Sequence, residues 1–81
     1  MLKETAGDAT GPLTRLVDEL LWALRRDGFA VSTAQAIDAA RAASLVGFGD
    51  QRALASAIGA VVVERRADRA RFAERFDRFF A

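Results

Sequence analysis

The stretch Val62 to Phe80, VVERRADRARFAERFDRFF, decides how this chain is read. Phe72, Phe76, Phe79 and Phe80 recur within it at helical spacing, with arginines mostly between them. A helix turns about 100° per residue, so the rings fall on one side and charge covers the rest. Asp68 stands just ahead, where a carboxylate can cap a helix N-terminus. The pattern predicts a helix over 69–80. Its aromatic stripe serves either a core or a partner, and helix stripes normally face a core. Phe79 and Phe80 are adjacent and cannot share one narrow stripe, which leaves them as candidate contacts beyond this chain.

Three further helices lie upstream. Pro12 suits a first helical turn, where its missing N–H costs nothing. Leu13, Leu16, Val17, Leu20, Leu21 and Leu24 then share one face, and Gly28 ends the run, predicting a helix over 13–27. Ser32 and Gln35 form an S-x-x-Q capping box with Val31 placed as its hydrophobic staple. The helix they start, over 33–45, is rich in alanine, which lets neighbouring helices approach closely. Gly47-Phe48-Gly49 breaks it, and Asp50 is a good cap for the next helix, over 51–63, with Leu54, Ala57, Ile58, Val61 and Val62 inward. Gly59 in its middle costs about 1 kcal/mol against alanine and marks a close helix contact. Residues 1–11, small and polar, read as a flexible lead-in, and 12–81 as the domain. The fold class is all-α: a compact bundle of four short helices with short connections.

Composition narrows the function. Eighty-one residues make one domain, and one of this size buries only about 60% of its unfolded surface. Twelve Lys and Arg against eleven Asp and Glu give a net charge of +1. Cysteine and histidine are both absent, which removes thiol chemistry, the commonest metal ligand and the commonest general base. Asp18 and Glu19 are adjacent and point about 100° apart on a helix, so they make no metal pair. No P-loop occurs, and the GxG at Gly47–Gly49 is a weak signal. The expectation is a chain that is not an enzyme and has no cofactor. With no apolar run near the roughly 20 residues that cross a bilayer, and an N-terminus unlike a signal peptide, the expected compartment is the cytoplasm.

The arginines Arg65, Arg66, Arg69, Arg71, Arg75 and Arg78 could line up phosphates, but Glu64, Asp68, Glu74 and Asp77 interleave with them. Spacing suits surface pairs Glu74–Arg78 and Arg71–Glu74. A solvated, salt-bridged face is the first expectation, a protein contact the second, and nucleic acid the third, because the net charge is near zero. Trp22 is expected in the core or at its edge. Arg25 and Arg26 offset the dipole of the first helix.

Four segments in order resemble the start of CoxE-like proteins. Leu24 to Ser32, LRRDGFAVS, is similar to L-R-x-x-G-[LF]-x-V-S, and Ile37 to Ala42, IDAARA, to L-D-A-L-R-A. Val46 to Gln51, VGFGDQ, resembles V-G-L-x-D-R. Val62 to Asp68, then Phe72 and Phe76 to Phe80, is similar to L-V-K-R-x-E-D…F…F-D-x-F-F. The resemblance runs from about Leu13 to Phe80 and covers only the helical N-terminal region of that family. Its members carry a von Willebrand factor A domain with a D-x-S-x-S metal site, of which this chain has no counterpart, so no metal residue carries over. Alanine stands at Ala40 where the family often has leucine.

The resemblance implies a non-catalytic adaptor acting with a von Willebrand factor A domain, a MoxR-type AAA+ ATPase or a client protein, often in metalloenzyme maturation. The expected partner-binding residues are Phe76, Phe79 and Phe80 as anchors, with Arg65, Arg66 and Arg78 orienting the contact. Alternatives are a small nucleic-acid-binding domain using the Arg-rich helix, and a homodimer built on Phe79, Phe80 and the small-residue faces.

Overall fold

A computed structural model describes residues 11–81. The lead-in expected over 1–11 lies outside them except for Gly11. The described residues form four α-helices and one 3-10 turn: α1 Pro12–Arg26, α2 Thr33–Val46, α3 Gln51–Val62, the turn Arg66–Asp68, and α4 Arg69–Phe80. No strand occurs among them, and the apolar run Val61-Val62-Val63 is helical up to Val62. α1 packs on α2 and α4, α3 packs on the same two, and the most extensive packing is between α2 and α3.

Local chemistry sets the helix ends. Gly28, at φ +98°, lets α1 finish in a Schellman motif: Phe29 N–H donates to the Leu24 carbonyl at 2.9 Å and Gly28 N–H to that of Arg25 at 3.0 Å. Phe29 and Leu24 are both buried, which supplies the hydrophobic contact of that motif. α2 opens with the expected capping box. Gln35 N–H donates to Ser32 Oγ at 3.1 Å, and Ser32 N–H to Gln35 Oε1 at 2.9 Å. The other end of the Gln35 amide donates to the Val61 carbonyl at 3.2 Å and to Glu64 at 3.0 Å. One side chain thus caps α2 and ties it to the end of α3. Asp50 caps α3 through Ala53 N–H. Asp68 does not cap α4 with its side chain. It faces Arg65 at 3.6 Å, so the 3-10 turn takes the place of a side-chain cap.

The core is built from Val17, Leu20, Leu21 and Leu24 of α1, Ala39 and Ala43 of α2, Leu54, Ile58 and Val62 of α3, and Phe72 and Phe76 of α4, with Phe29 and Val31 from the α1–α2 connection. Among the described residues, no polar or charged side chain is buried with them. Trp22 departs from expectation: it is 58% exposed. It lies two residues from both Leu20 and Leu24, about 200° round the helix, and so faces away from the core. Arg25 covers one face of its ring, with the guanidinium 5.1 Å from the centroid.

Gly59 marks the close contact expected of it. A Cβ built there would stand 3.1 Å from the Phe72 ring, and Phe72 is buried beside Phe76, with ring centroids 5.9 Å apart. Gly59→Val adds a branched side chain against a ring with little room to retreat. It is expected to cost about 1–3 kcal/mol in urea unfolding despite the loss of a helical glycine. A stability equal to that of the unaltered chain would show that the ring yields.

Candidate interaction surfaces

The four phenylalanines of α4 divide into two kinds. Phe72 and Phe76 are buried. Phe76 was expected to anchor a partner, and the structure places it in the core at 2% exposure. The reason is its position: it stacks between Phe72 and Phe80, whose centroids lie 5.9 and 4.6 Å away, on the stripe that faces α1 and α3. Phe79 and Phe80 are half-buried in the last turn of α4. They meet nearly edge to face, with centroids 5.2 Å apart and planes at 76°. The adjacent pair therefore shares the core margin, each ring keeping part of its surface open.

Of the arginines of the expected site, Arg78 lies beside these rings but Arg65 and Arg66 do not join them in one patch. Arg65 and Arg66 precede α4, whereas Arg78, Phe79 and Phe80 occupy its last turn. Eleven residue rises separate Arg69 from Phe80, about 17 Å along the helix. The expected pairs Glu74–Arg78 and Arg71–Glu74 do not form among the described residues. The ion pairs that do form are Arg65–Asp68 at 3.6 Å and Arg75–Asp27 at 3.1 Å. The second ties α4 to the end of α1. The Arg75 Nε–H is not aimed along that contact, so it is a charge pair rather than a hydrogen bond. Arg71 lies over Phe29, its guanidinium 4.4 Å from the ring centroid. Tertiary partners thus claim Arg71 and Arg75, which sequence spacing assigns to local pairs or to a phosphate stripe.

A second surface was not singled out in the sequence reading. Leu45 is 85% exposed, and Val46 and Phe48 stand open within three residues of it at the α2–α3 corner. Ile37, on the outer face of α2 opposite Ala39, is also open. The signal was present: with Ala39 and Ala43 inward, Ile37 and Leu45 fall on the far side of the helix.

A third feature is a groove of about 440 Å³ between α3 and α4. Ala55, Ser56, Gly59, Ala60 and Val63 wall it, Phe72 forms its base, and Arg69 supplies the one charged side chain that the described residues place there.

Among the described residues no three His, Cys, Asp or Glu side chains gather as a metal site, and no helix is long and apolar enough to cross a membrane. The family model of the CoxE N-terminal helical bundle domain matches residues 17–81, all of the chain but the lead-in and the first part of α1. No curated protein and no solved structure matches the chain.

Proposed function

The chain belongs to the CoxE N-terminal helical bundle family, and from that premise we propose that it is a non-catalytic adaptor domain. It docks on a von Willebrand factor A domain or a MoxR-type AAA+ ATPase during metalloenzyme maturation in a bacterial cytoplasm. The observation that carries this reading is the pair Phe79–Phe80. The two rings are locked edge to face at the end of α4 and remain half open to solvent. Rigid aromatic side chains with accessible faces are the usual anchors of protein interfaces. Arg78, exposed beside them, orients the contact, and Arg65 and Arg66 make a second point of attachment at the far end of α4.

The test is the double substitution Phe79→Ala with Phe80→Ala. Both rings touch the core margin, so some melting temperature is lost. Affinity for a MoxR-type ATPase or a von Willebrand factor A domain, measured by calorimetry below the melting range, should fall by more than about 30-fold, the effect of losing one hot spot. Unchanged affinity in the folded double variant would remove Phe79 and Phe80 from the interface.

A further inference from the structure

The α3–α4 groove has a shape and charge that Phe79 and Phe80 do not explain. Along α3, Arg52, Ser56, Gly59 and Val63 follow one another at spacings of four, three and four residues and so share a face. Ala55 and Ala60 flank that face. Gly59 is small because Phe72 presses on it. Ser56 and Ala60 are exposed, so no packing within the bundle accounts for their size. The result is a concave track, apolar at its base and open along its length. It has too few converging polar groups for a small molecule, since among the described residues Ser56 and Arg69 are the only polar or charged side chains lining it. A track of this form suits a helix laid into it.

Charge identifies the occupant. Arg69 lines the groove near Val63, and Arg52 lies on the same face of α3, eleven residue rises or about 17 Å from Val63. No carboxylate lines the groove, and neither arginine forms an ion pair among the described residues. A second copy of the chain is a poor fit. α3 has Arg52 as its one charged residue and no acid, so α3 laid against α3 would bring cation towards cation. We propose that the α3–α4 groove binds an acidic amphipathic helix of a partner protein. That helix presents a small or aliphatic stripe to Gly59 and Phe72, with carboxylates about three turns apart reaching Arg52 and Arg69. The proposal rests on the reading of the domain as a protein-binding module and adds a second docking site to it.

The probe is a fluorescein-labelled, helix-forming 21-residue peptide with an Ala/Leu stripe and Glu at positions eleven apart. Its twin carries Lys at the same two positions. Fluorescence anisotropy with the full 81-residue chain should show the Glu peptide binding at least about tenfold more tightly than the Lys twin, with the advantage shrinking as salt rises. Ala60→Trp fills the groove from an exposed position and should abolish binding. Arg52→Glu with Arg69→Glu should weaken the Glu peptide by at least about tenfold and reverse the preference. Circular dichroism checks that each variant stays folded. Equal affinity for the twins, binding untouched by Ala60→Trp, or no binding of the Glu peptide overturns the proposal. If the peptides fail while binding that depends on Phe79 and Phe80 persists, the groove alone is refuted. If both fail, the adaptor reading falls with it.

Discussion

Phe76→Ala is expected to remove about 3–5 kcal/mol of folding stability, the range for emptying a buried aromatic site. Phe76 is among the largest fully buried side chains and sits in the middle of the ring series Phe72–Phe76–Phe80. Its loss opens a cavity against the α1 and α3 side chains and frees Phe80 from its stacking partner. A domain of this size has only about 4–12 kcal/mol in total. The variant should therefore melt about 12–40 °C lower, or fail to fold at 37 °C, at about 4–8 °C per kcal/mol. Thermal unfolding followed at 222 nm measures this. A drop below about 5 °C would mean that the neighbouring rings collapse into the space, and that Phe76 is less central than its burial indicates. The same experiment separates Phe76 from Phe79 and Phe80: the first should act on stability, the other two mainly on binding.

Ala43→Leu is the second large effect. Ala39 and Ala43 are fully buried on the face of α2, the helix that makes the bundle's most extensive packing, with α3. A methyl group is all that the gap holds. Three added carbons must push a helix outward or force strained rotamers, at a cost of about 1–3 kcal/mol and at the upper end for a position with no exposure. Urea unfolding should show a lower midpoint with an unchanged slope, since the surface exposed on unfolding hardly changes. Ala40→Leu makes the contrast. Ala40 is only half-buried, and leucine there should be tolerated far better. Equal cost at the two positions would contradict the packing described for α2.

Much of the architecture was legible in the residues. The capping box at Ser32 and Gln35, the ends at Gly28 and Gly47, the cap at Asp50 and the 69–80 helix all rest on interactions within a few residues. They are set by the local backbone and side-chain chemistry that the sequence displays directly. Gly59 was readable for a related reason: a glycine in mid-helix needs a close neighbour to justify it, although the sequence could not name Phe72. Trp22, Ile37 and Leu45 stand outward on α1 and α2, positions that the residues alone did not assign to any of them. A tryptophan's apolar bulk argued for the core, and its angular position overrode that argument.

The interaction surfaces were less legible because they depend on distances between elements. Spacing alone paired Arg71 and Arg78 with Glu74. Folding brought Asp27 to Arg75 and Phe29 under Arg71, contacts between residues more than 40 positions apart. Spacing put Phe72 and Phe76 on one stripe and showed that the adjacent Phe79 and Phe80 could not both share it, without saying where the core ends along the helix. By itself, then, the sequence determined four helices, the caps of α2 and α3 and an aromatic face on the last helix, since these follow from short-range hydrogen bonding and helical periodicity, while the cap expected of Asp68 did not form. Only the tertiary structure decided that Phe76 is core while Phe79 and Phe80 stay half open, that Arg65 and Arg66 stand apart from them, and that α3 and α4 leave a groove with arginine at its margin. Those outcomes depend on where neighbouring helices stop covering one another, which no local pattern encodes.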